Sequence, residues 1–223
     1  MALELFRVDP RFEVYYIPSF LNAQEQSSMT EKIYALDRKW VQLKNRRVQA
    51  HPNSLLGGTT LAKAPLPDFL TRTVFDKFET LGIFRNTAHR RANHVLVNEY
   101  RPGQGIPPHE DGDVYFPLVA TLTLGSHCVY HLYSKDQPRQ ILASILQEPG
   151  SCLVTCGATY SKYLHGIDEV QEDADLSADN ILNWDFLSEE YQVPKLTRGT
   201  RLSLTYREVN KVKNFMALSR DMR

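Results

Sequence analysis

His109 and Asp111 stand two residues apart in PPHEDGD, directly after the Gly/Pro-rich turn RPGQGIPP. On an extended segment, residues two apart point the same way, so an imidazole and a carboxylate there can bind one ion. The pair alone is weak: with seven His and thirteen Asp in the chain, about 0.4 H-x-D pairs arise by chance. His165, in YLHGI at the end of an expected strand, strengthens it. Two histidines and one carboxylate on a β scaffold form the facial triad that holds non-haem Fe(II) and leaves three positions open. Two of those suit a chelating cosubstrate and one suits O2. A catalytic zinc also accepts two histidines, an acid and water, and the triad alone does not separate the metals.

The run RLSLTYR, residues 201–207, carries the anion-binding chemistry. Period-2 alternation places Arg201, Ser203, Thr205 and Arg207 on one face, with Leu202, Leu204 and Tyr206 on the other. Two arginines facing the interior of a sheet domain are costly unless they meet anions. A dicarboxylate such as 2-oxoglutarate supplies one, and guanidinium grips carboxylate in a bidentate fork. The competing reading is an edge strand whose polar face meets solvent. Asn98 and Tyr100, in LVNEY, share a face by the same spacing. An amide and a phenol there can hydrogen-bond the two ends of a bound diacid.

The elements that must position these residues fall into two halves. Residues 1–92 read as N-terminal helices with a basic segment between them. Asn22 followed by Glu25 resembles a capping box, with Met29, Ile33 and Leu36 recurring at helical spacing. A second helix is expected from about Pro67, with Leu70, Val74, Phe78 and Leu81 on one face and Gly82 near its end. Residues 38–63 read as a mobile segment with short strands rather than core. From about residue 93 the runs NHVLVNEY, FPLVATLTL, CVYHLY, QILASIL, SCLVTC and TRLSLTYR are short, β-branched and aromatic, bounded by Gly, Pro and Asp. They predict a mostly β fold with flanking helices, an antiparallel jelly roll over residues 93–210. An acidic insertion spans residues 168–196. Within it, residues 168–190 hold nine acidic residues and no Lys or Arg, and read as a solvated surface loop.

At 223 residues the chain suits a single domain. Its 26 basic and 26 acidic residues cancel, so net charge gives no argument for a nucleic-acid or membrane partner. Three cysteines without disulfide-like spacing suit a reducing compartment, and Cys152 and Cys156 read as small core residues. No apolar run approaches the roughly 18 residues of a membrane span. These features predict an intracellular monomer, in the cytoplasm and/or nucleus, with no membrane partner. His51, His89, His94, His127 and His131 lack a comparable context and read as structural.

The segments VNEYRPGQGIPPHED, LHGI and RLSLTYR, in that order, resemble the AlkB family of 2-oxoglutarate dioxygenases. KWVQLKNRRVQ and HVLVNEYRPGQGIPPHEDG look most like its homologue-six branch, and the resemblance spans nearly the whole chain. It implies a double-stranded β-helix, with Fe(II) on His109, Asp111 and His165. It also implies 2-oxoglutarate contacts from Asn98, Tyr100, Arg201 and Arg207, with Ser203 as a further contact. The family's best-known reaction is oxidative removal of N-alkyl groups from RNA or DNA bases flipped beneath a lid. The segment from Trp40 to Arg47 looks like that lid. Arg46 and Arg47 are expected to grip phosphates, Trp40 or Tyr115 to stack on a base, and Asp113 to face the substrate. Three other readings stay open: a hydroxylase or demethylase of protein side chains, a non-catalytic nucleic-acid or partner-binding domain, and a zinc hydrolase.

Overall fold

Asn22 caps the first helix as its spacing to Glu25 predicts: its side chain accepts from the Glu25 N–H, and the Glu25 carboxylate accepts from the Asn22 N–H. The computed structural model describes residues 2–214, so Met1 and residues 215–223 of the expected domain lie outside the described residues. The chain begins with β1 (Val14–Ile17) and α1 (Ala23–Tyr34), followed by β2 (Val41–Gln42), β3 (Arg47–His51) and β4 (Leu61–Ala62). Helix α2 (Asp68–Leu81) buries Leu70, Val74 and Phe78 and stops where Gly82 turns left-handed at φ 71°. Strands then dominate: β5 (His94–Tyr100), β6 (Ile106–His109), β7 (Tyr115–Leu124), β8 (Cys128–Tyr133), β9 (Ile141–Gln147) and β10 (Cys152–Cys156). After the short α3 (Gly157–Lys162) come β11 (Leu164–Ile167), β12 (Glu172–Ala174), β13 (Lys195–Thr197), β14 (Arg201–Val209) and β15 (Val212–Lys213). Among the described residues no helix is long and apolar enough to cross a membrane.

Two antiparallel sheets form the jelly roll. The larger has the order β1-β10-β7-β14-β5-β3-β2 and the smaller β6-β11-β8-β9. Alternation along each strand sends one row of side chains to the helices and the other between the sheets. On the helix side, Val95, Val97, Leu122, Leu204 and Tyr206 pack with Ile33, Val74 and Phe78 in one apolar cluster. Each large side chain buried there contributes roughly 1.5–3 kcal/mol. Between the sheets, a second cluster (Tyr16, Leu153, Val129, Leu132, Ile145) fills only one end. The other end is left to polar residues of β5, β7 and β14, and that is where the cavity lies. Cys128 and Cys152 are buried free thiols and Cys156 is half-buried, matching their reading as core residues.

The structure overturns two sequence expectations. Residues 38–63 are not peripheral, because β3 joins the large sheet beside β5 and buries Gln49 and His51 completely. The Gln49 amide donates to the carbonyls of Ile33 and Leu36, adding a second bond to each and tying β3 to the end of α1 and the turn after it. The buried residues are polar, so hydrophobic periodicity does not reveal this strand.

The acidic run keeps eight of its nine acids exposed, as expected of a surface segment, but it is anchored to the core and not merely a loop. Leu176, Ile181 and Leu187 plug the apolar end of the roll beneath Trp184 and Phe186. Asp173 is buried against Arg198 and His127. Asn183, fully buried, donates to the Leu146 carbonyl and accepts from the Leu146 N–H, pinning the run to β9. Leaving two buried backbone groups unpaired costs roughly 1–3 kcal/mol each. Asn183→Ala should therefore lower the unfolding free energy by roughly 2–4 kcal/mol in urea titration. A loss below about 0.5 kcal/mol, the range of ordinary surface substitutions, would show the plug is not anchored there.

Candidate metal centre and cosubstrate pocket

The turn RPGQGIPP delivers His109 to its place through a close approach of backbones. A Cβ on Gly105 would stand 2.3 Å from the Ile167 carbonyl oxygen, so only glycine lets β6 lie against the end of β11. In that antiparallel pair His109 sits directly opposite His165, with a bulge just after His165. The two rings lie 4.3 Å apart. Gly112, at φ 95°, turns the chain after Asp111. Nitrogen or oxygen atoms of His109, Asp111 and His165 all come within 4.8 Å of one another. The residues named from the sequence as ligands are thus brought together.

Their surroundings fix their chemical state. His109 Nδ1 is 3.0 Å from the Pro107 carbonyl; a carbonyl only accepts, so Nδ1 donates there and Nε2 is the nitrogen left to face a metal. Burial drives His165 down to about 4, so its ring is neutral near pH 7. The Tyr130 ring stacks on it at 5.4 Å and 16°. Burial alone would raise the Asp111 carboxyl, but the charges of Arg207, His165 and His109 outweigh that and hold it below the usual range. Arg207 Nη2 donates to Asp111 Oδ1 at 2.5 Å, leaving Oδ2 for a metal. Two imidazoles and one carboxylate fit Fe(II).

The pocket beside the triad encloses about 250 Å³ and is lined by Asn98, Tyr100, Arg201, Ser203 and Arg207. Arg201 is 3% exposed. Its Nη2 donates to Thr123 Oγ1 at 2.9 Å and Gln147 Oε1 at 3.5 Å, both neutral. Its Nε and Nη1 are buried without partners, as is Nε of Arg207. A buried guanidinium with idle donors and no carboxylate is too costly to persist alone; a bound dicarboxylate removes the cost. Burial raises the Tyr100 pKa, so its hydroxyl keeps its proton and can donate. Asn98 Oδ1 accepts from Arg46 Nε at 3.0 Å, which leaves the Asn98 amide N–H groups free to donate.

The residues named from the sequence for the substrate do not gather. Arg47 forms a two-pronged pair with Glu99 at 2.8 and 2.7 Å and lies 4.4 Å over the Trp40 ring. Neither is left to hold a phosphate or a base, because a buried carboxylate claims the guanidinium first. Tyr115 is 9% exposed, wedged between His94 and the Arg207 guanidinium, and offers no open ring face. Asp113 is exposed and outside the cavity lining. Only Arg46 reaches the cavity. The sequence reading missed Tyr130, Thr123 and Gln147. Thr123 was legible in retrospect, since alternation along β7 puts Thr121 and Thr123 on one face; Gln147 has no such signal.

A family model described as the 2OG-Fe(II) oxygenase superfamily matches residues 13–207. The chain is 38% identical over 211 residues to a Danio rerio protein named "Probable RNA/DNA demethylase ALKBH6", covering 89% of this chain and 86% of that one. Among solved structures, "The structure of OsALKBH1" is similar at TM-score 0.60 and 16% identity, over 90% of this chain and 100% of that chain. A Pseudomonas putida prolyl-4-hydroxylase is similar at TM-score 0.53 and 13% identity, over 93% of this chain and 99% of that chain. At those identities the two structures speak to the jelly-roll fold alone.

Because Arg207 is 10% and Asp111 4% exposed, removing the carboxylate strands a buried cation. Asp111→Ala should therefore destabilise the metal-free protein by roughly 3–5 kcal/mol, whereas His109→Ala should cost no more than about 1–2 kcal/mol. Both should abolish iron retention. Equal losses of stability in the two variants would show that Arg207 does not depend on Asp111.

Proposed function

The chain belongs to the 2OG-Fe(II) oxygenase superfamily, and on that premise we propose that it removes N-alkyl groups from nucleic-acid bases oxidatively. The dioxygenase chemistry goes with the family; the nucleic-acid substrate is the finer reading, supported by the likeness to the Danio rerio protein named for RNA/DNA demethylation. In the reaction a methylated nitrogen, O2 and 2-oxoglutarate give the free N–H, formaldehyde, succinate and CO2. His109, Asp111 and His165 would hold the iron, which when bound would supply the O2-activating chemistry of the family.

The chain's own residues bind, orient and protect. Arg201 anchors one carboxylate of 2-oxoglutarate through the donors that have no protein partner. Asn98 and Tyr100 donate from the flank, and Ser203 lines the path between. Arg207 holds one oxygen of Asp111 so that the other keeps a fixed aim. The Pro107 carbonyl fixes the His109 tautomer. Leu96, Ile106, Val119, Leu153 and Ile167 wall the cavity, limiting the water that would let reactive species leak.

The observation that carries this reading is the buried, carboxylate-free guanidinium of Arg201 in the same cavity as the triad. Hydrogen bonds to a charged group are worth roughly 1.5–3 kcal/mol. Arg201→Gln should therefore raise the KM for 2-oxoglutarate by roughly 10- to 150-fold, with a much smaller change in kcat at saturation. An unchanged KM would sink the pocket assignment. For the substrate, succinate release should be stimulated by methylated RNA or DNA oligonucleotides and not by methylated peptides; the reverse pattern would move the assignment to protein side chains.

A further inference from the structure

Arg46 enters the cavity from the turn between β2 and β3, beside the site but apart from both the metal and the cosubstrate anchor. Its Nε donates to Asn98 Oδ1 at 3.0 Å, which fixes the guanidinium on the flank where Asn98 stands. Glu99, the acid next in sequence to Asn98, is already held by Arg47 on the opposite face of the sheet. No carboxylate lies within ion-pair distance of Arg46 among the described residues.

The charges lining the cavity are Arg46, Arg201, Arg207, Glu110 and Asp111. Glu110 is paired with Lys135 at 2.6 Å, and Asp111 with Arg207. The two charges of iron(II) cancel those of the 2-oxoglutarate dianion. Arg201 takes the cosubstrate's carboxylate, so Arg46 is the lining cation with no anion beside it, and the loaded cavity keeps a positive charge on that flank. Asp113 does not change this, because it is exposed, outside the lining and screened by water. In a partly enclosed site, less screened than open water, a like charge is felt at several ångströms. A base that enters such a site carrying a positive charge meets repulsion, whereas a neutral base does not.

We propose that Arg46 is a specificity-determining residue that excludes cationic bases, so that the site takes bases alkylated on an exocyclic amine, which stay neutral, over bases alkylated at a ring nitrogen that bears no hydrogen, such as N1 of adenine or N3 of cytosine, which become cations. This rests on the nucleic-acid reading above and names its substrate class. Arg46 also explains its own bond to Asn98: the amide oxygen holds the charge in place without neutralising it.

The test uses matched oligonucleotides carrying one N6-methyladenine (neutral), one N1-methyladenine (cationic at neutral pH), or no methyl group. Turnover is read as formaldehyde, and affinity as fluorescence anisotropy of the iron- and 2-oxoglutarate-loaded protein without oxygen. The neutral probe should be favoured roughly tenfold or more in both readouts, about 1.4 kcal/mol. Arg46→Lys should keep the preference, Arg46→Gln should bring the ratio to within roughly threefold, and Arg46→Glu should invert it. A wild-type preference for the cationic probe, or a ratio unmoved by Gln and Glu, overturns the role of Arg46 while leaving the nucleic-acid reading standing. If neither methylated strand is turned over, nor bound better than the unmethylated one, while unstimulated 2-oxoglutarate consumption continues, the nucleic-acid reading falls and this one with it.

Discussion

A guanidinium in the middle of a sheet has to meet an anion, and Arg207 meets Asp111. That contact ties β14, the central strand of the large sheet, to the turn that follows β6 in the small one. The same carboxylate is the only acid of the triad, so one ion pair sets both the packing of the two sheets and the aim of a ligand. The His109–His165 register supplies the remaining geometry through backbone hydrogen bonds alone. The metal centre is therefore held by the two interactions that close the roll at its polar end.

Arg201 stands six residues earlier on β14, on the same face, and its situation is the opposite. It has neutral neighbours, Thr123 and Gln147, and idle buried donors. One arginine has a carboxylate within the protein and the other meets one only in something that binds. Between them Ser203 and Thr205 are small enough to leave the cavity open. Filling both ends of that strand with paired charges would give a more stable sheet without a pocket, so the unpaired donors of Arg201 mark a stability cost accepted for binding.

How far the sequence could be read follows from how local each determinant is. The triad and the β14 face were legible because period-2 alternation and short motifs fix where side chains point. The capping box and Gly82 were legible for the same reason. The acidic run was misread because its charges dominate its composition, while the few apolar residues that plug the roll are spaced without helical or strand period. The place of β3 in the core was missed because what it buries is Gln49 and His51, whose burial depends on carbonyls near the end of α1 and on contacts no single-sequence pattern records. Trp40 and Tyr115 were drawn to the substrate by residue type, yet their ring faces are claimed by Arg47 and Arg207.

Arg46 and Arg47 show most sharply where a composition-based reading fails. In sequence they are one basic pair, and as a pair they suggest a phosphate grip. The pleat of the sheet separates them, since consecutive residues leave an extended strand on opposite sides. Arg47 goes to the helix side, where Glu99, Tyr34 and Trp40 enclose it. Arg46 goes to the cavity side, where it finds only the neutral amide of Asn98. Asn98 and Glu99 are themselves consecutive on β5, so the two strands present matched alternations: charge to charge on one face, charge to amide on the other. A one-residue slip of β3 against β5 would bring Arg46 to Glu99 and send Arg47 into the cavity, stranding one cation and reversing every other contact of the strand. The register that pairs one arginine with an acid is therefore the same one that leaves its neighbour at the cavity wall beside an amide.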